Sequence, residues 1–198
     1  MNMKKTIIFE FIVGSLLLAS ALYTYIPQAQ YMYELTFISN IAGASVFIAD
    51  AVVVTVMHKE LPGVLFLTEA VTICIVFIVS VGGTLSGFAH FNFSGGMFFL
   101  HVINPLLVIG AYLFFKGEKD VRLSSVLLAP AFVMMYLVFD YIRFLFTGSF
   151  VYGLFPDEEM SLIIALLIGL AAYLVLTVLG FAFIMGGRAI QRKKSYQS

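Results

Sequence analysis

A side-chain hydroxyl becomes a nucleophile when a base lies within hydrogen-bond reach, a further group orients that base, and donors stand where negative charge will develop. Thr36 offers such a hydroxyl and His101 such a base, on different apolar segments of the chain. Asn104 or Arg143 could donate to an oxyanion, Asp140 could orient either the histidine or the arginine, and Asn40 and Tyr136 lie close enough in pattern to support them. The residues alone do not choose among these secondary roles, and a threonine and a histidine on separate helices also serve as structural polar contacts. Two further acids, Asp50 and Glu69, stand inside apolar runs. A carboxyl there must face a protein interior and find a partner or take up a proton.

The elements that carry these residues are set by hydropathy. The 198 residues are 62% hydrophobic and 11% charged, with a mean hydropathy of +1.05, too little polar surface to coat a water-soluble globule. A hydrocarbon core of about 30 Å takes about 20 helical residues to cross. Apolar runs of that length occur near 6–26, 34–57, 61–83, 97–115, 124–146 and 161–186. The connections between them are short, and no repeat or soluble segment interrupts them. The expectation is an all-α polytopic membrane protein, one six-helix transmembrane domain over 1–198.

Orientation follows from the basic residues. Lys4, Lys5, Lys59, Lys116, Lys119, Arg122, Arg188, Arg192, Lys193 and Lys194, ten of the eleven, fall on one side of such a bundle. The positive-inside rule then places both termini in the cytoplasm and the Thr36 end in the outer half of the bilayer. Arg143 alone breaks the pattern, and pairing inside the bundle, most simply with Asp140, explains it. Glu10, near the cytoplasmic end of the first helix, reads as a carboxylate that snorkels to the interface.

Helical spacing groups the polar residues. Steps of three and four from Thr36 reach Asn40, Gly43, Phe47 and Asp50 on one face of the second helix. Glu69, Thr72, Val76, Ser80 and Gly83 share a face of the third. At about 1.5 Å per residue Glu69 comes to roughly the depth of Asp50, so a pair of carboxyls sharing a proton is one arrangement and two separately bonded carboxyls the other. His101 and Asn104 share a face of the fourth helix, and Tyr136, Asp140, Arg143 and Thr147 form a polar stripe on the fifth. The outer loop from Thr84 to Gly96 carries Phe88, His90, Phe91 and Phe93, which suits either a lid over an outer cavity or an interfacial anchor. Asp157, Glu158 and Glu159 read as a cap at the start of the sixth helix, where negative charge suits the dipole.

Metal and cofactor chemistry find little here. His90 and His101 are the two histidines on the outer side, one ligand short of a three-histidine zinc site, and a bis-histidine haem needs two helix-borne histidines at one level. The single Cys74 excludes an internal disulfide and a cysteine-based cluster. No metal and no cofactor is expected.

Leu35-Thr36-Phe37 at the outer start of the second helix, His101 followed by Pro105 in the fourth, and Tyr136 through Thr147-Gly148 to Tyr152 and Phe155 resemble the androgen-induced and androgen-dependent transmembrane hydrolases. The pattern is most similar to the bacterial six-helix branch of that superfamily, with its Thr-x-x-Ser-Asn and His-x-x-x-Pro motifs. The resemblance implies hydrolysis of a lipid ester, such as a fatty acid ester of a hydroxy fatty acid, with Thr36 as nucleophile and His101 as base. It also implies a prokaryotic plasma membrane, a lipid or fatty-acid-ester substrate as partner, and no nucleic acid. Two other classes stay open from the residues: a small proton-coupled transporter built on Asp50, Glu69 and the Asp140/Arg143 pair, and a non-catalytic lipid-binding protein whose polar cluster only joins helices.

Overall fold

The computed structural model describes residues 3–88, 90–116, 121–152 and 160–195. Among the described residues every regular element is helical, and six helices are long and apolar enough to cross a membrane. These are α1 (Met3–Tyr25), α2 (Leu35–Met57), α3 (Gly63–Leu85), α4 (Gly96–Lys116), α5 (Ala131–Thr147) and α6 (Leu162–Ser195). Lys119 and the acidic residues Asp157, Glu158 and Glu159 lie outside the described residues.

α1 packs along α2, with Gly14 at the closest approach. A Cβ there would stand 2.6 Å from Ile48 Cγ1 and 3.1 Å from the Ala44 carbonyl oxygen, so a small residue is what lets the two backbones come together. α3 is the most enclosed helix and touches α2, α4, α5 and α6, while α6 is the least enclosed and turns most of its apolar surface outward. Around α3 the core is made of Val13, Leu17, Phe47, Phe66, Leu67 and Tyr112, with the Phe47 and Phe66 rings edge to face at 5.3 Å.

Two boundaries depart from the hydropathy reading. The fifth segment begins as a short 3₁₀ turn, Leu123–Leu128, and becomes α-helical only at Ala131, after Pro130. Pro130 has no N–H to continue a ladder from the preceding turn, but its fixed φ suits a helix start. α6 extends nine residues beyond the expected end at 186, to Ser195. Its polar extension is tied down by Arg188, which donates to the Val121 carbonyl at 3.1 Å, and by Gln191, which donates to the Phe114 carbonyl at 3.0 Å.

α4 is wound unevenly, with wide π turns over Phe99–Ile103 and Tyr112–Lys116. The first has a cause in the sequence. Pro105 lacks the N–H that would bond the carbonyl of His101 four residues earlier, and the helix widens just upstream of it.

Candidate active site

Thr36 lies in the first turn of α2, where backbone N–H groups have no acceptor within the helix. It is 2% exposed. Its Oγ1 is 3.4 Å from His101 Nε2, at the long end of hydrogen-bond range. On the far side of the imidazole, Nδ1 lies 3.3 Å from the Asn92 carbonyl oxygen. A carbonyl only accepts, so this contact puts the ring hydrogen on Nδ1 and leaves the Nε2 lone pair facing Thr36. The order hydroxyl, imidazole, orienting acceptor is the one that nucleophilic catalysis requires, with a backbone carbonyl as the orienting group.

The loop that supplies Asn92 also walls in the histidine. Phe91 and Phe93 meet the His101 ring edge to face at 5.6 and 5.7 Å. A second polar contact to Thr36 comes from Tyr152, whose hydroxyl accepts the Thr36 N–H at 3.1 Å and lies 3.4 Å from Thr36 Oγ1. Burial pushes the Tyr152 phenol up to about 12, so it keeps its proton throughout the neutral range. Glu34, one residue before α2, accepts a hydrogen bond from the Tyr25 hydroxyl at 2.5 Å. Burial raises the Glu34 carboxyl above its ordinary value and the Tyr25 bond works against that rise.

Asn40 and Asn104 sit under Thr36. Asn40 donates to the Thr36 carbonyl at 2.7 Å, and Asn104 donates to Asn40 Oδ1 at 2.6 Å and to Ser20 Oγ at 2.8 Å. The Asn104 amide is thus engaged with α1 and α2, away from the Thr36 hydroxyl. Arg143 is likewise engaged elsewhere: Nη1 donates to the Ser149 carbonyl at 2.6 Å and the guanidinium lies 4.8 Å from the Tyr33 ring centroid. The simple Asp140–Arg143 ion pair is not what forms. Asp140 Oδ1 instead accepts the Val151 N–H at 3.0 Å, because the chain turns back over the end of α5 after Gly148, which has a φ of 73°. Both charged residues of the stripe therefore grip the loop that carries Tyr152.

Thr36, Tyr136, Asp140 and Tyr152 line one end of a cavity of about 220 Å³. Apart from Ser80 the rest of its wall is apolar, with Val76, Val133, Leu137 and Leu176 among its members, and His101 is not part of it. A second cavity of about 450 Å³ lies between α5 and α6 and shares Leu137, Phe150 and Ile168 with the first.

The two intramembrane acids are not a pair. Asp50 Oδ2 is 2.6 Å from Lys116 Nζ, and Asp50 Oδ1 accepts the Leu61 N–H at 2.6 Å. Glu69 reaches the level of Gly43, where a Cβ would stand 2.7 Å from its Oε1. Gly43 is seven residues from Asp50, which separates the carboxyls by about 10 Å along α2. Equal depth would require α2 and α3 to leave the bundle together. The chain instead folds back so that Leu61 already lies beside Asp50, and α3 starts deeper by that amount.

Lys116 and Glu10 also depart from expectation. Both are buried, and Lys116 Nζ stands 2.6 Å from Glu10 Oε1, 3.5 Å from Glu60 Oε2 and 4.7 Å from the Phe66 ring centroid. The wide final turn of α4 points the ammonium inward, and the carboxyl of Glu10 stays inside with it rather than snorkelling outward. His90 is exposed and takes no part in either cluster. Among the described residues no three His, Cys, Asp or Glu side chains gather as a metal-binding group.

The residues that the spacing argument leaves out are Tyr152, Asn92 and Lys116. Tyr152 stands in the motif string of the resemblance, but nothing in its own neighbourhood of sequence ties it to Thr36. Comparison with family models, with curated proteins and with solved structures finds no match for this chain.

Proposed function

We propose that the protein is an intramembrane hydrolase of a lipid carboxylic ester, with Thr36 as nucleophile and His101 as base. The observation that carries this reading is the line from Thr36 Oγ1 through His101 to the Asn92 carbonyl, with Thr36 in the wall of a largely apolar cavity. His101 Nε2 takes the Thr36 proton as Oγ1 attacks the ester carbonyl carbon, and the carbonyl electron pair moves onto oxygen. Collapse of that oxyanion breaks the bond to the alcohol oxygen, which leaves with the proton from His101, and the acyl group stays on Thr36. Water then gives a proton to His101 and attacks the acyl-threonine, and the acid leaves as Thr36 recovers its hydrogen. The Phe91 and Phe93 rings and the apolar wall exclude bulk water, which strengthens each polar contact made to the developing charge. The resemblance to the androgen-induced and androgen-dependent hydrolases supports the same assignment, with a fatty acid ester of a hydroxy fatty acid as the candidate substrate. With both termini cytoplasmic, the site faces the outer half of a prokaryotic plasma membrane and takes substrate sideways from the lipid.

The test is labelling of detergent-purified protein by a fluorophosphonate probe. Wild type is labelled, and Thr36→Ala and His101→Ala are not, although both remain folded. A folded wild type that resists labelling rejects the assignment.

A second reading, a small proton-coupled carrier, is favoured by the fully buried Glu69 between the Asn40–Asn104 and Lys116 clusters. Reconstituted vesicles in which wild type passes protons and Glu69→Gln does not would favour it over the hydrolase.

A further inference from the structure

Resting on the hydrolase reading, we propose that the phenols of Tyr136 and Tyr152, together with the backbone N–H of Thr36, form the oxyanion-binding donors for the ester carbonyl. Three independent features meet at this spot. The Thr36 N–H belongs to the first turn of α2 and has no acceptor within the helix; its partner is the Tyr152 oxygen at 3.1 Å. Tyr136 is 7% exposed, and its hydroxyl faces the Leu35 amide without an aligned hydrogen bond and has no partner. Both phenols line the same cavity as Thr36.

A buried polar atom without a partner is destabilising, and Asn104 Oδ1 is another at this end of the bundle, but of the two residues Tyr136 is the one that lines the cavity with Thr36. The cavity wall that Tyr136 shares with Val133, Leu137 and Leu176 also carries Thr36, Ser80, Asp140 and Tyr152, yet the Tyr136 hydroxyl bonds none of them. The acceptor it lacks is one that a substrate brings. A carbonyl oxygen attached to the carbon under attack by Thr36 Oγ1 lies near the backbone amide of that same threonine. It displaces the Tyr152 oxygen as acceptor of the Thr36 N–H, and both phenols turn their O–H toward it. Two acids lie close enough to oppose the developing charge: Asp140, which lines the same cavity and has its Oδ1 engaged by the Val151 N–H, and Glu34, which accepts from the Tyr25 hydroxyl and whose burial favours the neutral form. The acyl chain then lies along the apolar wall between α3, α5 and α6, while His101 remains on the opposite side of Thr36 to serve the leaving alcohol.

Tyr136→Phe and Tyr152→Phe in the full purified chain separate this assignment from the one it rests on, with hydrolysis of p-nitrophenyl decanoate and inhibition by a decyl trifluoromethyl ketone as readouts. Removal of one such donor is expected to lower kcat by about 10²–10³-fold with KM nearly unchanged, and to weaken the ketone, whose hemiketal carries the oxyanion, by a similar factor. Full kcat and full ketone inhibition in both variants, in a protein that Thr36→Ala inactivates, would overturn the donor assignment and leave Thr36 as nucleophile. A wild type that neither hydrolyses the ester nor reacts with a fluorophosphonate would overturn both. Should Tyr136→Phe fail to fold, Tyr152→Phe decides by the same measurements.

Discussion

Asp140 Oδ1 accepts the backbone N–H of Val151 at 3.0 Å, and the next residue, Tyr152, carries the hydroxyl that touches Thr36. A carboxylate in α5 thus sets the position of a phenol on the other side of the site by holding one amide of a loop. Its neighbour Arg143 holds a second point of the same loop through the Ser149 carbonyl. The polar stripe of α5 acts on the site through the backbone rather than by direct contact with Thr36.

Asp140→Ala therefore frees the loop while it leaves Thr36 and His101 in place. The expected result is a fall in kcat/KM for a long-chain nitrophenyl ester on the order of 10²-fold, the scale of a displacement of about 1 Å at a reacting centre. Arg143→Leu should lower it in the same direction. Unaltered kinetics in Asp140→Ala would show that the loop needs no such anchor.

Asn40 and Asn104 join α2 to α4 beneath Thr36, and Asn104 reaches α1 through Ser20. A double-mutant cycle with Asn40→Ala and Asn104→Ala should give a coupling of about 0.5–1.7 kcal/mol in thermal or denaturant unfolding, the range for hydrogen bonds between membrane helices. Strict additivity of the two single substitutions would contradict this contact.

Lys116 is shared by the buried carboxylates of Glu10 and Asp50, both at 2.6 Å. Lys116→Met leaves two acids facing each other without a cation, and a loss of about 3–5 kcal/mol is expected. Combining it with Glu10→Gln and Asp50→Asn should restore most of the stability, because neutral amides need no counter-charge. If the triple variant is no more stable than Lys116→Met, the loss comes from packing of the lysine stem instead.

Glu34 offers a pH test outside the spanning segments. Its folded-state carboxyl is raised above the ordinary value of 4.5, so folding favours the protonated form. Stability from this group is complete below that value and declines as pH rises through the folded value. Glu34→Gln, which mimics the neutral acid and can still accept from Tyr25, should have a Tm that gains on wild type between pH 4 and pH 8. A constant difference across that interval would mean that Glu34 does not titrate differently on folding.

Hydropathy determined the six spans, because a segment about 20 residues long with almost no charge has one stable state in a bilayer, a helix with its backbone bonds closed internally. Periods of three and four residues put Asn40 and Asp50 on the inward face with Thr36, and Pro105 marks where α4 widens at His101. Loop paths are not written in that periodicity. Leu61 folds back beside Asp50 and moves Glu69 about 10 Å from the depth that residue counting assigns. The same holds for Tyr152 and for the Asn92 carbonyl, which reach Thr36 and His101 only because two loops close over one end of the bundle. Lys116 reads as one more basic residue at a helix end. Its inward turn depends on where Glu10 and Asp50 come to lie, 106 and 66 residues away in the chain, and the mutual attraction of buried charges decides it once the helices have packed.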